Sequence, residues 1–144
     1  MKLDFIYKFI ANVQNTFLGT NNSLNYRAKL IASMVAVLKD NKPELDNIIR
    51  DISNEIYKKK LQREIFLVTI KDYILIARSD CLGVDKLLKD ILKLTKQNPK
   101  YINKINFVQL DKLILRKHSK ENEIEIENYA QIRVLEFLKN EVIK

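Results

Sequence analysis

Only four of the 144 residues are glycine or proline: Gly19, Pro43, Gly83 and Pro99. Tight turns draw on these two residues for backbone conformations that others reach at a cost. An all-β chain of this length needs a turn about every 8–12 residues, and four such residues cannot supply them. The shortage predicts long helices joined by few turns: an all-α, single-domain bundle of about six helices over residues 1–144. Apolar residues make up 47% of the chain and charged residues 31%, so there is enough apolar surface for a packed core. A domain of this size buries roughly two-thirds or more of its unfolded surface.

Hydrophobic spacing places the helices. Leu3, Ile6, Ile10, Val13 and Phe17 recur at steps of three and four and share one helical face. Gly19 suits the end of that helix, and Asn22 or Ser23 suits the cap of the next, which runs to about Lys39 with Leu24, Ala28, Ile31, Val35 and Leu38 inward. Pro43 fits a first helical position, and Glu44 and Asp46 follow where carboxylates favour the positive helix end. Leu45, Ile48, Ile49, Ile52 and Ile56 form a clean apolar stripe that ends at Lys58, Lys59 and Lys60. No breaker follows, so the chain continues either as one long helix or as a sharply bent pair.

Residues 65–77 are apolar nearly all round. As a helix, that pattern predicts a central, buried element. As strands, they would form a hairpin about Lys71-Asp72, without the glycine or asparagine that such a turn favours; helix is the preferred reading. Residues 84–95 form a further helix with Leu87, Leu88, Ile91 and Leu92 inward, and residues 101–117 carry a looser helical pattern. Glu123-Ile124-Glu125-Ile126-Glu127 alternates with the period of a strand. An α+β fold with a small sheet from 65–77 and 121–127 is therefore the alternative. Tyr129, Ile132, Leu135, Leu138 and Val142 return to helical steps.

The chemistry that the sequence leaves out is informative. Gly19 and Gly83 lie too far apart for a glycine-rich phosphate loop. A single histidine, His118, cannot make a two-histidine metal site within one chain. A single cysteine, Cys81, forms no internal disulfide and favours a reducing compartment. A Cys81–His118 nucleophile pair has no flanking motif in its favour; a buried helix-end cysteine and an exposed loop histidine is the plainer expectation. No catalytic, cofactor-binding or metal-binding residue is assigned, and no cofactor is expected. Asp4 and Lys8 interrupt the apolar run at the N-terminus, and 65–77 is too short to span a bilayer. The expectation is a cytoplasmic protein with no membrane partner.

The net charge of +8 is unevenly spread. Residues 58–120 hold 16 basic and 6 acidic side chains, whereas residues 121–144 hold 3 and 6. Lys86, Lys89, Lys93 and Lys96 share one helical face, and Lys100 continues the row. Two flanking clusters are Lys58-Lys59-Lys60 with Arg63, and Arg116-Lys117-His118 with Lys120. Together these residues are candidate contacts for an anion or a nucleic-acid backbone; for the row, a solvated helix face is the plainer reading. Lysine outnumbers arginine, so such binding would be backbone-led and weakly sequence-specific. The acidic run Glu121, Glu123, Glu125 and Glu127 is either a charged edge or a docking segment for a basic surface. Phe5, Tyr7 and Phe9 form a candidate partner surface if their helix is peripheral. The expected function is a non-enzymatic helical binding or adaptor protein, with a protein partner or self-association. A nucleic-acid-binding module using 58–120 is the alternative.

One segment, Ala32 to Asp46, resembles the helix–acidic turn–helix unit of the tellurite-resistance TerB-like domains. Asn41 stands after Asp40 where that family typically has glycine, and the spacing to Glu44 is shorter. The likeness covers 15 of the 144 residues. It implies a cation site at Asp40 and Glu44.

Overall fold

The computed structural model describes residues 22–115 and 122–143. The helices are α1 (Asn22–Ala36), α2 (Pro43–Ile56), α3 (Lys60–Arg78), α4 (Gly83–Gln97), α5 (Phe107–Asp111) and α6 (Asn122–Phe137). A 3-10 segment, Pro99–Lys104, joins α4 to α5, and a π-helical turn, Leu138–Val142, extends α6. There is no strand among the described residues, so the fold is all-α. Residues 65–77 lie within α3 and 122–127 within α6, which overturns the α+β alternative. The alternation at 123–127 mimics a strand over five residues, but the helical spacing that resumes at Tyr129 carries the segment into one long helix.

The centre of the bundle is α1, not α3 with its apolar run at 65–77. Ten of the fifteen residues of α1 are buried. Ala28, Ala32, Ser33 and Ala36 keep its surface shallow, so α3, α4, α6 and the 3-10 segment all pack against it, most extensively α3. In α3 only Ile65, Phe66, Thr69, Ile70, Ile74 and Ala77 are buried. Leu75 and Ile76 are each 58% exposed. Burial here follows small side chains and close helix approach rather than total hydrophobicity.

A helix buried on all sides must find partners for its own polar groups. Tyr26 reaches Thr95 of α4 through a 2.7 Å hydroxyl–hydroxyl hydrogen bond and stacks on Tyr101 with ring centroids 4.7 Å apart. Burial raises the Tyr26 hydroxyl above its ordinary pKa. At the C-terminal end of α1, Gln131 of α6 donates to the carbonyl of Met34 at 2.9 Å, and Arg78 of α3 donates to that of Val35 at 3.0 Å. Gln131 is fully buried; it also donates to Leu113 O at 2.7 Å and accepts from Leu115 N–H at 2.8 Å. It thereby pins the segment after α5 against α1.

The sequence reading differs at several element ends. The helix expected to reach Lys39 stops at Ala36, where Leu38 N–H turns back to Val35 O at 3.0 Å. After Ile56 the chain bends at Tyr57–Lys59, giving the helix pair rather than one long helix. The looser pattern at 101–117 is a 3-10 segment and a five-residue helix, with the Asn106 side chain accepting from Gln109 N–H as an N-cap. Pro43 does occupy the start of α2, with Glu44 and Asp46 in the first turn. Cys81 is exposed in the α3–α4 connection rather than buried. Among the described residues, no helix is long and apolar enough to cross a membrane.

Candidate docking groove

Helices α2 and α3 run antiparallel from their shared turn and leave a groove of about 410 Å³ between them. From α2, Leu45, Asp46, Ile49 and Arg50 line it at helical steps. From α3 come Leu67, Ile70, Lys71, Ile74, Leu75 and Arg78, again one face. Val35, Asn41 and Lys42 close one end. Val35, Leu45, Ile49, Ile70 and Ile74 are buried and form an apolar floor. Leu75 stands out at the lip.

The charged lining is almost entirely positive: Lys42, Arg50, Lys71 and Arg78 against Asp46 alone. Lys42 is satisfied internally. Its ammonium lies 2.6 Å from Asp40 and 3.3 Å from Glu127. The hydrogen bond that Lys42 donates to Asp40 lowers the Asp40 carboxyl below its ordinary range and raises the Lys42 ammonium. Glu127 is buried, and it also accepts from Lys39 N–H at 3.1 Å. This member of the acidic run is thus a structural anchor turned inward, not part of an exposed docking segment.

Arg78 differs from Lys42. Its terminal nitrogens reach Asn41 Oδ1 at 2.6 Å, Val35 O at 3.0 Å and Asp40 O at 3.3 Å, all neutral acceptors. Its Nε is buried without a partner. Burial lowers its pKa, opposed by the nearby Asp40 and Glu127 charges; a guanidinium nonetheless stays charged at neutral pH. Arg50 and Lys71 are exposed on opposite walls and make no ion pair among the described residues. Among the described residues, the lining offers apolar contact and mostly positive charge.

The basic residues singled out from sequence that the structure describes lie at the α2–α3 turn, along α4 and at the start of the 3-10 segment. Lys58, Lys59 and Lys60 are exposed about the α2–α3 turn. Arg63 is drawn back onto that turn and donates to Tyr57 O at 3.2 Å and Lys58 O at 2.6 Å. Lys86 pairs with Asp80, whose pKa is lowered chiefly by that hydrogen bond. Lys89, Lys93 and Lys96 are exposed around a shallow hollow with Leu92 and Gln97, and Lys100 is exposed beyond them. Phe5, Tyr7, Phe9, Arg116, Lys117, His118 and Lys120 lie outside the described residues. Among the described residues, no group of three or more histidine, cysteine or acidic side chains is placed to hold a metal ion. Asp40 already serves Lys42.

A second hollow, between α1, α3 and α4, holds the Lys29–Asp90 ion pair, with the Lys29 ammonium 5.4 Å from the Tyr73 ring centroid. Burial, helped by the Asp90 charge, pushes Tyr73 up to about 12. The ion pair leaves no net charge there for a ligand to meet.

The groove went unnoticed in the sequence, although α3 carries a signal for it. Lys71 and Arg78 are seven residues apart on an otherwise apolar face, with Ile74 and Leu75 between them. No family model, curated protein sequence or solved structure matches the chain.

Proposed function

We propose that this chain is a non-enzymatic binding module that receives a helical segment of a partner protein in the groove between α2 and α3. The observation that supports this reading is the combination of an apolar floor, an exposed Leu75 at its lip and, on facing walls, Arg50 and Lys71, which make no ion pair among the described residues. Amphipathic helices dock into such grooves through apolar anchors at i, i+3, i+4 and i+7. The test is selection of displayed, helix-forming random peptides against the whole chain. Binders with that apolar pattern are expected. They should lose binding to Leu75→Glu and keep it to Val108→Glu, a control at an exposed position outside the groove. Binders indifferent to Leu75→Glu would overturn the reading.

A second reading, backbone-led nucleic-acid binding, draws support from Lys89, Lys93, Lys96 and Lys100, which are exposed and without carboxylate partners among the described residues. It requires affinity for a short duplex that falls steeply with salt. Undetectable binding at low ionic strength rejects it.

A further inference from the structure

We infer that the segment received by the groove is an acidic amphipathic helix with two carboxylates seven residues apart, bracketing a pair of apolar residues. This rests on the docking reading above and adds the chemistry of the occupant.

The inference comes from the order of residues along α3. Lys71, Ile74, Leu75 and Arg78 all line the groove, at steps of three, one and three. At 1.5 Å per residue, the two cations stand about 10 Å apart along the helix axis. Between them lies the apolar lip and floor. On the opposite wall, Arg50 lies six residues into α2 from the shared turn, whereas Lys71 lies eleven residues into α3, so Arg50 adds its charge nearer that turn. The groove thus has one cationic station at Lys71 and a second at Arg78, both on α3.

The two stations differ in what they lack. Arg50 and Lys71 have no ion-pair partner among the described residues. Arg78 carries its charge among neutral acceptors, with an unpartnered Nε. An anion near Lys71 supplies an ion-pair partner that it lacks among the described residues, and one near Arg78 adds a charged acceptor to its neutral ones. A helix with the sequence Glu-x-x-Leu-Leu-x-x-Glu meets both stations and lays its leucines over Ile74 and Leu75. The pattern reads the same in either chain direction. A nucleic-acid backbone would match the charge but leave the apolar floor uncovered. An acyl chain with one headgroup would match the floor and one station only.

The experiment uses the full chain and a fluorescent helical peptide carrying Glu-x-x-Leu-Leu-x-x-Glu, with binding followed by anisotropy. Two comparison peptides move the second glutamate to a five-residue spacing or replace both glutamates by lysine. The first peptide should bind at least about tenfold more tightly than either, and more weakly as salt rises. Lys71→Glu should weaken it about tenfold, and exchanging one peptide glutamate for lysine should restore binding to that variant. Arg78 is left unchanged because it also caps α1. Equal binding by all three peptides, or a Lys71→Glu loss that the lysine peptide does not restore, overturns the inference. Stronger competition by an oligonucleotide or by anionic vesicles than by unlabelled peptide also overturns it. If selected peptides lacking the paired acids still depend on Leu75, the docking reading stands and this inference alone fails. If no helical peptide binds, both fail.

Discussion

A Cβ added to Gly83 would lie 1.8 Å from the carbonyl oxygen of Ala77. The first residue of α4 is therefore in direct backbone contact with the last turn of α3, and it is this contact that sets the two helices so close. Replacing glycine by alanine inside a helix ordinarily gains up to about 1 kcal/mol. Here the neighbour is backbone, which cannot rotate aside. Overpacking of this kind costs about 1–3 kcal/mol. Gly83→Ala should lower stability by about 2 kcal/mol net, read from the midpoint of denaturant unfolding. An unchanged or higher midpoint would mean that the helices separate freely.

Gln131 offers a second test of how the bundle is held. Its amide satisfies three backbone groups, two carbonyls and one N–H, in a site with no water access. Gln131→Met keeps the volume and removes all three bonds. A buried group left unpaired costs about 1–3 kcal/mol, although small shifts can let some groups find each other. The expected loss is about 3 kcal/mol, together with faster hydrogen exchange at Leu115 N–H. A loss below about 1 kcal/mol would show that the amide is dispensable.

These two positions show what a sequence can and cannot disclose. The helical class was legible because four breakers cannot turn a β chain, and the start of α2 was legible because Pro43, Glu44 and Asp46 act locally. The central place of α1 was not legible. It depends on small residues, Ala28, Ala32 and Ser33, whose value lies in what approaches them. Nothing in the sequence marks Gln131, and Glu127 reads as one of an acidic run, because their partners, Met34 and Lys42, lie 97 and 85 residues away in the chain. The groove was illegible for the same reason. Its walls come from two helices, and only the Lys71–Arg78 half is a local pattern.

The acid–base behaviour should reveal Asp72. Burial raises its carboxyl above the ordinary value. The unfolded chain ionises more readily at this site, so the charge on Asp72 opposes folding at neutral pH. Lowering the pH through the raised value removes that opposition. Asp72→Asn should therefore stabilise the protein at pH 7, by less than about 1 kcal/mol given its partial exposure. The gain should vanish below the ordinary carboxylate range, where both forms are neutral. Asp40, Glu55 and Asp80 act in the opposite sense. Hydrogen bonds from Lys42, Gln109 and Lys86 lower them, so their contribution is present above the ordinary value and lost as pH falls through the depressed one. Parallel pH–stability curves for the native chain and Asp72→Asn would contradict this assignment.

The lysine row on α4 makes a prediction that does not depend on any ligand. Lys93 is exposed, sits one turn from both Lys89 and Lys96, and makes no ion pair among the described residues. Like charges at these spacings destabilise a helix by about 0.2–0.5 kcal/mol per pair. The favourable effect of a cation near the helix C-terminus opposes this, and it is stronger for Lys96 in the last turn than for Lys93. Repulsion therefore wins at Lys93. Lys93→Gln should raise stability by about 0.5 kcal/mol at low ionic strength, and the gain should fade in about 1 M salt, where the screening length is about 3 Å. The same variant should weaken any nucleic-acid binding, so stability and duplex affinity would move in opposite directions. A stability gain with unaltered duplex binding would leave the row as a solvated face. A stability loss would mean that Lys93 is held by a favourable contact, which contradicts the repulsion argued here.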